Sequence, residues 1–452
     1  AVCVAGVWDN LEVQTSTDEP ALIAQISERL ACTPGIAKFL HVDKYPRTDL
    51  DAMLDLALEY YREKLVGKTF AVRCKRNGKH AFKSTDVERH VGAGLNAQTD
   101  AVGVRLKDPD VTVLIEVRDD VVFMVRDQRA GMGGFPLGCQ DSVLSLISGG
   151  FDSSVSSYSC IKRGLQTHYC FFNLGGRAHE LAVKEVALFL WMKYHSSHRV
   201  KFISVPFEGV VEEILNKVDN AQMGVILKRM MLRAAEQIAA GLHIEALVTG
   251  ESVAQVSSQT LPNLAVIDSV TDALVLRPLA TSDKQQIIDI AREIGTEEFS
   301  KDIPEYCAVI SKKPTTQAKP HRIESEETRF DFAVLDAAID NAKHQLITDL
   351  VADLDSKAAE IKILKTRASD STVIDIRHPD EVELKPLMLD GETQPGVLLN
   401  IPFYKLRSGF ADLDKDKNYL LYCGKGMMSR LHAANLVGEG FANVAVLELA
   451  KP

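Results

Sequence analysis

Short runs in which apolar and polar residues alternate, and longer stretches with apolar residues three and four apart, divide the chain into regions of different character. Up to about residue 130, Val2–Val7, Thr69–Cys74 and Val111–Val117 have the period of strands, and Ala21–Ala31 and Asp49–Leu65 that of helices. Val121–Arg126 follows the Asp119-Asp120 turn as the second arm of a hairpin. The glycines of residues 131–138 then mark a linker. From residue 139 to 318 the two patterns take turns. Strands are predicted at Val143–Ile147, His168–Asn173, Arg199–Val205 and Glu245–Thr249, with helices at Ser153–Arg163, His179–Tyr194, Val210–Val218 and Gln222–Ala240. That order predicts an α/β chain with a central doubly wound parallel sheet, whose ligands sit beyond the carboxyl ends of the strands. Residues 319–370 are charged and helix-forming and read as a helical linker. A small α/β domain follows at 371–452, with strands Thr372–Arg377, Tyr419–Cys423 and Asn443–Leu447 and a helix Ser429–Leu436.

At one strand end the pattern carries chemistry. Val143–Ile147 runs into Ser148-Gly149-Gly150-Phe151-Asp152-Ser153, a strand stopped by two glycines and restarted as a helix. Glycines let backbone N–H groups approach an anion closely, and the first turn of a helix carries unpaired donors and partial positive charge. No GK[ST] follows, so this is not a Walker A loop. The motif resembles the PP-loop of ATP pyrophosphatases, in which Asp152 would help to organise Mg²⁺.

At the other end, Tyr422-Cys423-Gly424-Lys425-Gly426-Met427-Met428-Ser429-Arg430 puts a cysteine at a strand end, with a glycine loop leading into a helix. Backbone N–H groups and the helix terminus would surround the sulfur with positive potential and favour a thiolate. This resembles the active loop of rhodanese domains, which carry sulfur as a persulfide, and Asp375-Ile376-Arg377 fits the same family. Of the eight cysteines (Cys3, Cys32, Cys74, Cys139, Cys160, Cys170, Cys307 and Cys423), no two form a CxxC pair and none lies at zinc-ligand spacing. That pattern implies a reducing cytoplasm and no structural metal. Cys307 stands alone in Pro304–Ser311; two single cysteines on loops of different domains fit an attacking and a resolving pair.

Composition bounds the partners. The net charge of −10 argues against nucleic-acid binding as a whole-chain property, but Arg62 to Arg89 holds nine basic against three acidic residues. Arg73, Lys75, Arg76, Lys79, Lys83 and Arg89 in that stretch are the candidates for holding phosphates. No apolar run is long enough to span a membrane. The chain begins at Ala1 with a strand that has no preceding partner, so an N-terminal piece is expected to be missing, and no secretory signal is visible.

Taken in order, SGGFDS, FFNLGG (Phe171–Gly176), MGVILKRMM (Met223–Met231), LVTGE (Leu247–Glu251), QVSSQT (Gln255–Thr260), PEYCAVIS (Pro304–Ser311) and YCGKGMMSR (Tyr422–Arg430) resemble the bacterial tRNA 4-thiouridine synthetases, also called tRNA sulfurtransferases, in their long form. The resemblance implies a partial ferredoxin-like piece at 1–23, a THUMP RNA-binding domain at 24–130, a PP-loop ATP pyrophosphatase domain at 139–318 and a rhodanese-like domain at 371–452. It places ATP contacts on Leu146, Ile147, Lys228, Gly250 and Gln259, beside the loop residues Ser148, Gly149, Gly150 and Ser153. Asp152 and Lys284 become catalytic, Cys423 the persulfide cysteine and Cys307 the resolving one. ATP and Mg²⁺ are the implied cofactors. The implied partners are tRNA, a cysteine desulfurase and the sulfur carrier of thiamin synthesis; a homodimer is allowed, and no membrane is involved. The expected product is 4-thiouridine at position 8 of tRNA. Ala308 departs from the glycine common in relatives. The residues leave two other readings open: a PP-loop ligase or amidotransferase acting on a metabolite with a redox-sensing terminal domain, and an RNA-binding scaffold without turnover.

Overall fold

The computed structural model describes residues 2–7, 10–15, 19–46, 49–174, 176–301, 303, 314–350, 362–367, 370–377, 382–383, 385–389, 397–402, 406, 409–424, 427–438 and 440–449. Cys307 lies outside them. The chain divides into two compact units, Ile36–Gly133 and the remainder.

The smaller unit is α+β. Its sheet runs β3 (Lys38–Pro46), β7 (Val121–Ala130), β6 (Val111–Arg118), β4 (Thr69–Asn77), β5 (Gly103–Val104), with β6 parallel to β4 and antiparallel to β7. Strict alternation in β6 sends Val113, Ile115 and Val117 inward. They meet Met53 and Ala57 of α2 (Leu50–Tyr61) and Val87, Val91 and Leu95 of α3 (Ser84–Gln98) in one core. Asp49 caps α2 by accepting from the Ala52 N–H at 2.9 Å, and at the start of α3 the Asp86 carboxylate accepts from the Lys83 N–H at 2.7 Å.

The larger unit opens with the hairpin β1 (Val2–Val7) and β2 (Asn10–Thr15) and helix α1 (Pro20–Ala31). A boundary at residue 24, expected from sequence, falls inside α1: Pro20 begins a continuous helix there, and the smaller unit starts only at Ile36.

Its main sheet has the order β12 (Leu274–Leu276), β11 (Ala246–Val248), β8 (Ser142–Leu146), β9 (Gln166–Asn173), β10 (Lys201–Pro206), β13 (Lys343–Leu346). All pairs are parallel except the β10–β13 edge. The chain steps from β8 outward through β9 and β10, then returns to place β11 and β12 on the other side of β8, so the switch point lies between β8 and β11. The helices are α4 (Phe151–Lys162), α5 (Gly176–Leu190), α6 (Glu208–Lys217), α7 (Met223–Gly241), α8 (Leu261–Asp268), α9 (Lys284–Ile294), α10 (Glu297–Ser300), α11 (Pro320–Glu327) and α12 (Phe332–Asp340).

Residues 319–370 do not act throughout as a helical linker. Ile323, Phe330, Leu335 and Ala338 are buried in the same core as Met230 and Ile238 of α7, and β13 closes the sheet edge against β10. The buried Glu327 takes the Arg229 guanidinium at 2.7 and 2.9 Å, which ties α11 to α7. The charged residues that suggested a linker are the solvent face of two packed helices.

A second, all-parallel sheet follows in the order β14 (Ile363–Leu364), β18 (Val444–Leu447), β17 (Asn418–Tyr422), β15 (Ser371–Asp375), β16 (Leu398–Asn400). Helix α13 (Met427–Gly438) packs on β17 and β18, with Ala433 and Leu436 buried among Ile374, Leu421 and Val446.

Candidate functional site

The first site sits where the topology directs a ligand, at the carboxyl ends of β8 and β11. Gly149 has φ +82, a left-handed conformation glycine adopts without penalty, and a Cβ there would stand 2.6 Å from Ile303 Cδ1. Gly150 caps α4, whose first N–H groups have no partner within the helix. The loop is fixed from several sides. Ser153 Oγ accepts from the Ser148 N–H at 3.1 Å and donates to Gly150 O at 3.2 Å, and Ser300 Oγ donates to Gly149 O at 2.8 Å. The serines of α4 keep this helix slim: Ser153, Ser154, Ser156 and Ser157 are all buried, and the Ser157 hydroxyl meets Ser145 of β8 at 2.8 Å.

Asp152 lies in the first turn of α4. Lys284, at the start of α9, donates to its Oδ1 at 2.9 Å, and Gln255 donates from Nε2 to its Oδ2 at 2.7 Å. The sequence thus placed Asp152 and Lys284 as candidates more than a hundred residues apart, and the fold joins them. Gly250 explains how β11 comes so near: a Cβ at this position would be 2.6 Å from the Asp152 carbonyl carbon and 2.7 Å from the Ser153 nitrogen. Its glycine is needed for the close approach of two backbones.

Beyond Gly250 stands a charge relay that sequence reading missed. Glu251, 7% exposed, accepts from Lys228 Nζ at 2.6 Å through Oε1 and from Arg277 Nε at 2.9 Å and Thr249 Oγ1 at 3.1 Å through Oε2. Arg277 in turn makes a bidentate pair with Asp268 at 2.8 and 2.6 Å. Burial pushes the Glu251 carboxyl up, but the Lys228 and Arg277 charges outweigh it and hold it below the usual carboxylate range. Lys228 is therefore a placed cation on α7, whereas its neighbour Arg229 is a structural tie to Glu327. The signal for Glu251 was its position one residue after a glycine at a strand end.

Leu146 ends β8 and Ile147 follows it, its N–H donating to Cys170 O at 2.9 Å. Gln259 is buried, and its Oε1 has no partner among the described residues. Cys170 and Cys160 are buried, and burial raises both thiols, that of Cys160 to about 12, so both are inert.

These residues fit a magnesium nucleotide. A glycine cradle, a helix start and Lys228 suit phosphates, and one carboxylate, Asp152, suits a cation that takes most of its other ligands from phosphate and water. Among the described residues no group of three or more His, Cys, Asp or Glu side chains could hold a metal without such help.

A second site ends β17. Cys423, 9% exposed, accepts from the Ser429 N–H at 3.3 Å and donates to the Ser429 hydroxyl at 3.4 Å. At the neighbouring end of β15, buried Asp375 and Arg377 pair at 2.6 Å, and the guanidinium lies 5.2 Å from the Tyr422 ring centre. His432 of α13 approaches Glu185 of α5 at 3.7 Å, a contact between one helix of each sheet. The segment that contains Cys307 is preceded by Ile303, which lies beside Gly149 of the first site, and is followed by Thr315, which donates to Ala221 O at 2.9 Å and accepts from Asn263 at 2.8 Å.

The basic candidates of the smaller unit do not form one patch. Arg73 and Lys75 are exposed on β4, on the face opposite Phe70 and Val72 of the core. Arg76 points to the other face and donates to Gly78 O at 2.8 Å and to His80 at 2.9 Å. Lys79 and Lys83 are exposed between β4 and α3, and Arg89 is exposed on α3 itself. Residues of alternating parity on one strand cannot share a face.

Comparison with known proteins adds to this geometry. The family model described as thiamine biosynthesis protein (ThiI) matches residues 138–332, and that of the THUMP domain matches residues 47–127. The chain is 55% identical over 439 residues to a tRNA sulfurtransferase of Saccharophagus degradans, covering 97% of this chain and 90% of that one. It is 55% identical over 446 residues to a tRNA sulfurtransferase of Azotobacter vinelandii, covering 98% and 91%. Among solved structures it resembles a 4-thiouridine synthetase in complex with RNA and bound ATP, with a TM-score of 0.68 and 27% identity over 76% of this chain and 90% of that one.

Proposed function

The chain belongs to the tRNA sulfurtransferase family, and on that footing we propose that it converts a uridine of tRNA, at position 8, into 4-thiouridine. The problem to be solved is a poor leaving group: the O4 of uridine departs only after ATP has made it an adenylate. The observation that carries the reading is Asp152 in the mouth of the glycine cradle, fixed 2.9 Å from Lys284.

In this reading Ser148, Gly149, Gly150 and the start of α4 receive the phosphates, and Lys228, braced by Glu251, counters their charge. Leu146, Ile147, Gly250 and Gln259 border the nucleotide. Lys284 offsets the charge that develops as pyrophosphate leaves. Asp152 is the residue that would hold Mg²⁺, which when bound supplies neutralisation of the triphosphate.

The sulfur comes from the second site, read as a rhodanese-like domain. A cysteine desulfurase loads Cys423 as a persulfide, whose terminal sulfur attacks C4 and expels AMP, leaving a C4–S–S–Cys423 bridge. Cys307 attacks the Cys423 sulfur, releasing the thiocarbonyl and forming a Cys307–Cys423 disulfide that a cellular dithiol reduces. The same persulfide serves the sulfur-carrier protein of thiamin synthesis. Arg73, Lys75, Lys79, Lys83 and Arg89 steer the tRNA backbone in the cytoplasm, without reading bases.

Purified protein given tRNA, ATP, magnesium and a sulfide source tests the reading by mass spectrometry of the digested nucleosides. Appearance of 4-thiouridine with matching pyrophosphate release supports it. Pyrophosphate release that depends on a metabolite rather than tRNA favours a ligase.

A further inference from the structure

The loop between β11 and α8 is built as a rigid platform. Val253 N donates to Ala280 O at 3.0 Å, Ala254 N to Gln259 O and Gln259 N to Val256 O at 2.9 Å each, and Ser252 Oγ to Ser282 O at 2.8 Å. Ala254 has φ +64, a conformation that disfavours any residue with a Cβ and persists only where its surroundings impose it. Inward, the loop sends Gln255 to Asp152. Outward it holds Val253, Val256 and Leu261, which are 37%, 41% and 65% exposed. Three apolar side chains held in water on one short loop contribute little to the core, and such exposure marks a surface that meets something else.

We propose that this rim receives the target base: Val253, Val256 and Leu261 pack on the face of the everted uracil and its neighbour, and Gln255 Oε1 accepts from its N3–H. The proposal rests on the thiolation of a uridine argued above and adds the surface that presents it. A base in folded RNA must leave its stack before its O4 can meet a phosphate, and once out it offers two apolar faces and a polar edge. The rim is continuous with the first site, because Gln255 stands between Val253 and Val256 and bonds Asp152. Gln255 Oε1 is buried without a partner among the described residues, and an acceptor is what a uracil N3–H requires. A protein partner would need far more apolar area than three side chains expose.

The thiocarbonyl of 4-thiouridine crosslinks on irradiation to whatever touches it, so the product tRNA is its own probe. Bound to the full-length protein, irradiated and digested, it is expected to yield a crosslinked peptide within residues 252–261 by mass spectrometry. A Val253→Ser, Val256→Ser, Leu261→Ser variant is expected to lose that crosslink and to thiolate with kcat about tenfold lower, with the KM for ATP unchanged, since stacking one base is worth about that much. Crosslinks that fall only outside residues 252–261 in an active wild-type protein, or a triple variant that thiolates at the wild-type rate, overturn the proposal. A wild-type protein that makes no thionucleoside overturns the underlying reading as well, and the nucleoside assay reveals this without any crosslink.

Discussion

The two larger sheets of the larger unit place the same device in opposite surroundings. Each ends a central strand in a glycine-bearing loop that opens a helix: β8 into α4, and β17 into α13. Around the first loop the protein gathers fixed charges, with Asp152, Lys284, Lys228, Glu251, Arg277 and Asp268 linked by pairs between 2.6 and 2.9 Å. Around Cys423 the described polar partners are the N–H and the hydroxyl of a single serine, at 3.3 and 3.4 Å. A site that must hold a polyanion and stabilise its departure needs rigid opposing charges. Under the proposed function, the second site picks up and gives away one sulfur atom, which needs a sulfur within reach and few commitments.

If that contrast is right, the two loops fail differently. The largest effect is expected from Asp152→Asn, which should lower both thiolation and tRNA-dependent pyrophosphate release by about a hundredfold or more. Cys423→Ala should abolish thiolation from a persulfide donor and leave pyrophosphate release within about twofold, measured on the same tRNA. Equal loss of both activities in the Cys423 variant would erase the division of labour.

Glu251→Gln tests whether the charge relay is structural to the cradle. It leaves Lys228 and Arg277 without the carboxylate between them, and removing one member of a buried pair costs about 3 kcal/mol, read from the urea midpoint. An unchanged midpoint would mean that Lys228 is held by something else. Gly250→Ala should cost about 1–3 kcal/mol and reduce kcat, because the added methyl meets the backbone of Asp152 and Ser153, which cannot swing aside.

The smallest effect belongs to the opposite end of the main sheet. Burial, with neighbouring histidines adding to it, lowers His195 to about 3; burial, with Lys201, lowers His168 to about 4. In the unfolded chain both titrate near the ordinary value of about 6.5, so unfolding takes up protons between these limits. Stability is therefore complete above about pH 6.5 and is lost as the pH falls toward 3. His195→Leu should flatten the dependence of the urea midpoint on pH over that interval; an unaltered slope would contradict it.

Much of this was legible in the sequence where the signal was local. The strands and helices from Val143 to Val248 follow from period and punctuation, and the SGGFDS loop from its glycines and its place at a strand end. What escaped was long-range. Gln255 and Glu251 are ordinary polar residues until the β8–β11 switch point brings them to Asp152 and Lys228. The helices α11 and α12 read as a charged linker because α11 is almost entirely polar, and only the core around α7 reveals what the apolar residues of the pair cover. The basic stretch of the smaller unit was a run in sequence and two faces in space, since a strand turns alternate residues apart.

The most direct test of the account is a single turnover in which Cys423 is preloaded with labelled sulfur and the tRNA is analysed for label. Transfer of one labelled sulfur per tRNA, dependent on ATP and absent with Asp152→Asn, is the predicted result. Label reaching tRNA without ATP, or thionucleoside formed from the persulfide donor by Cys423→Ala, would contradict it.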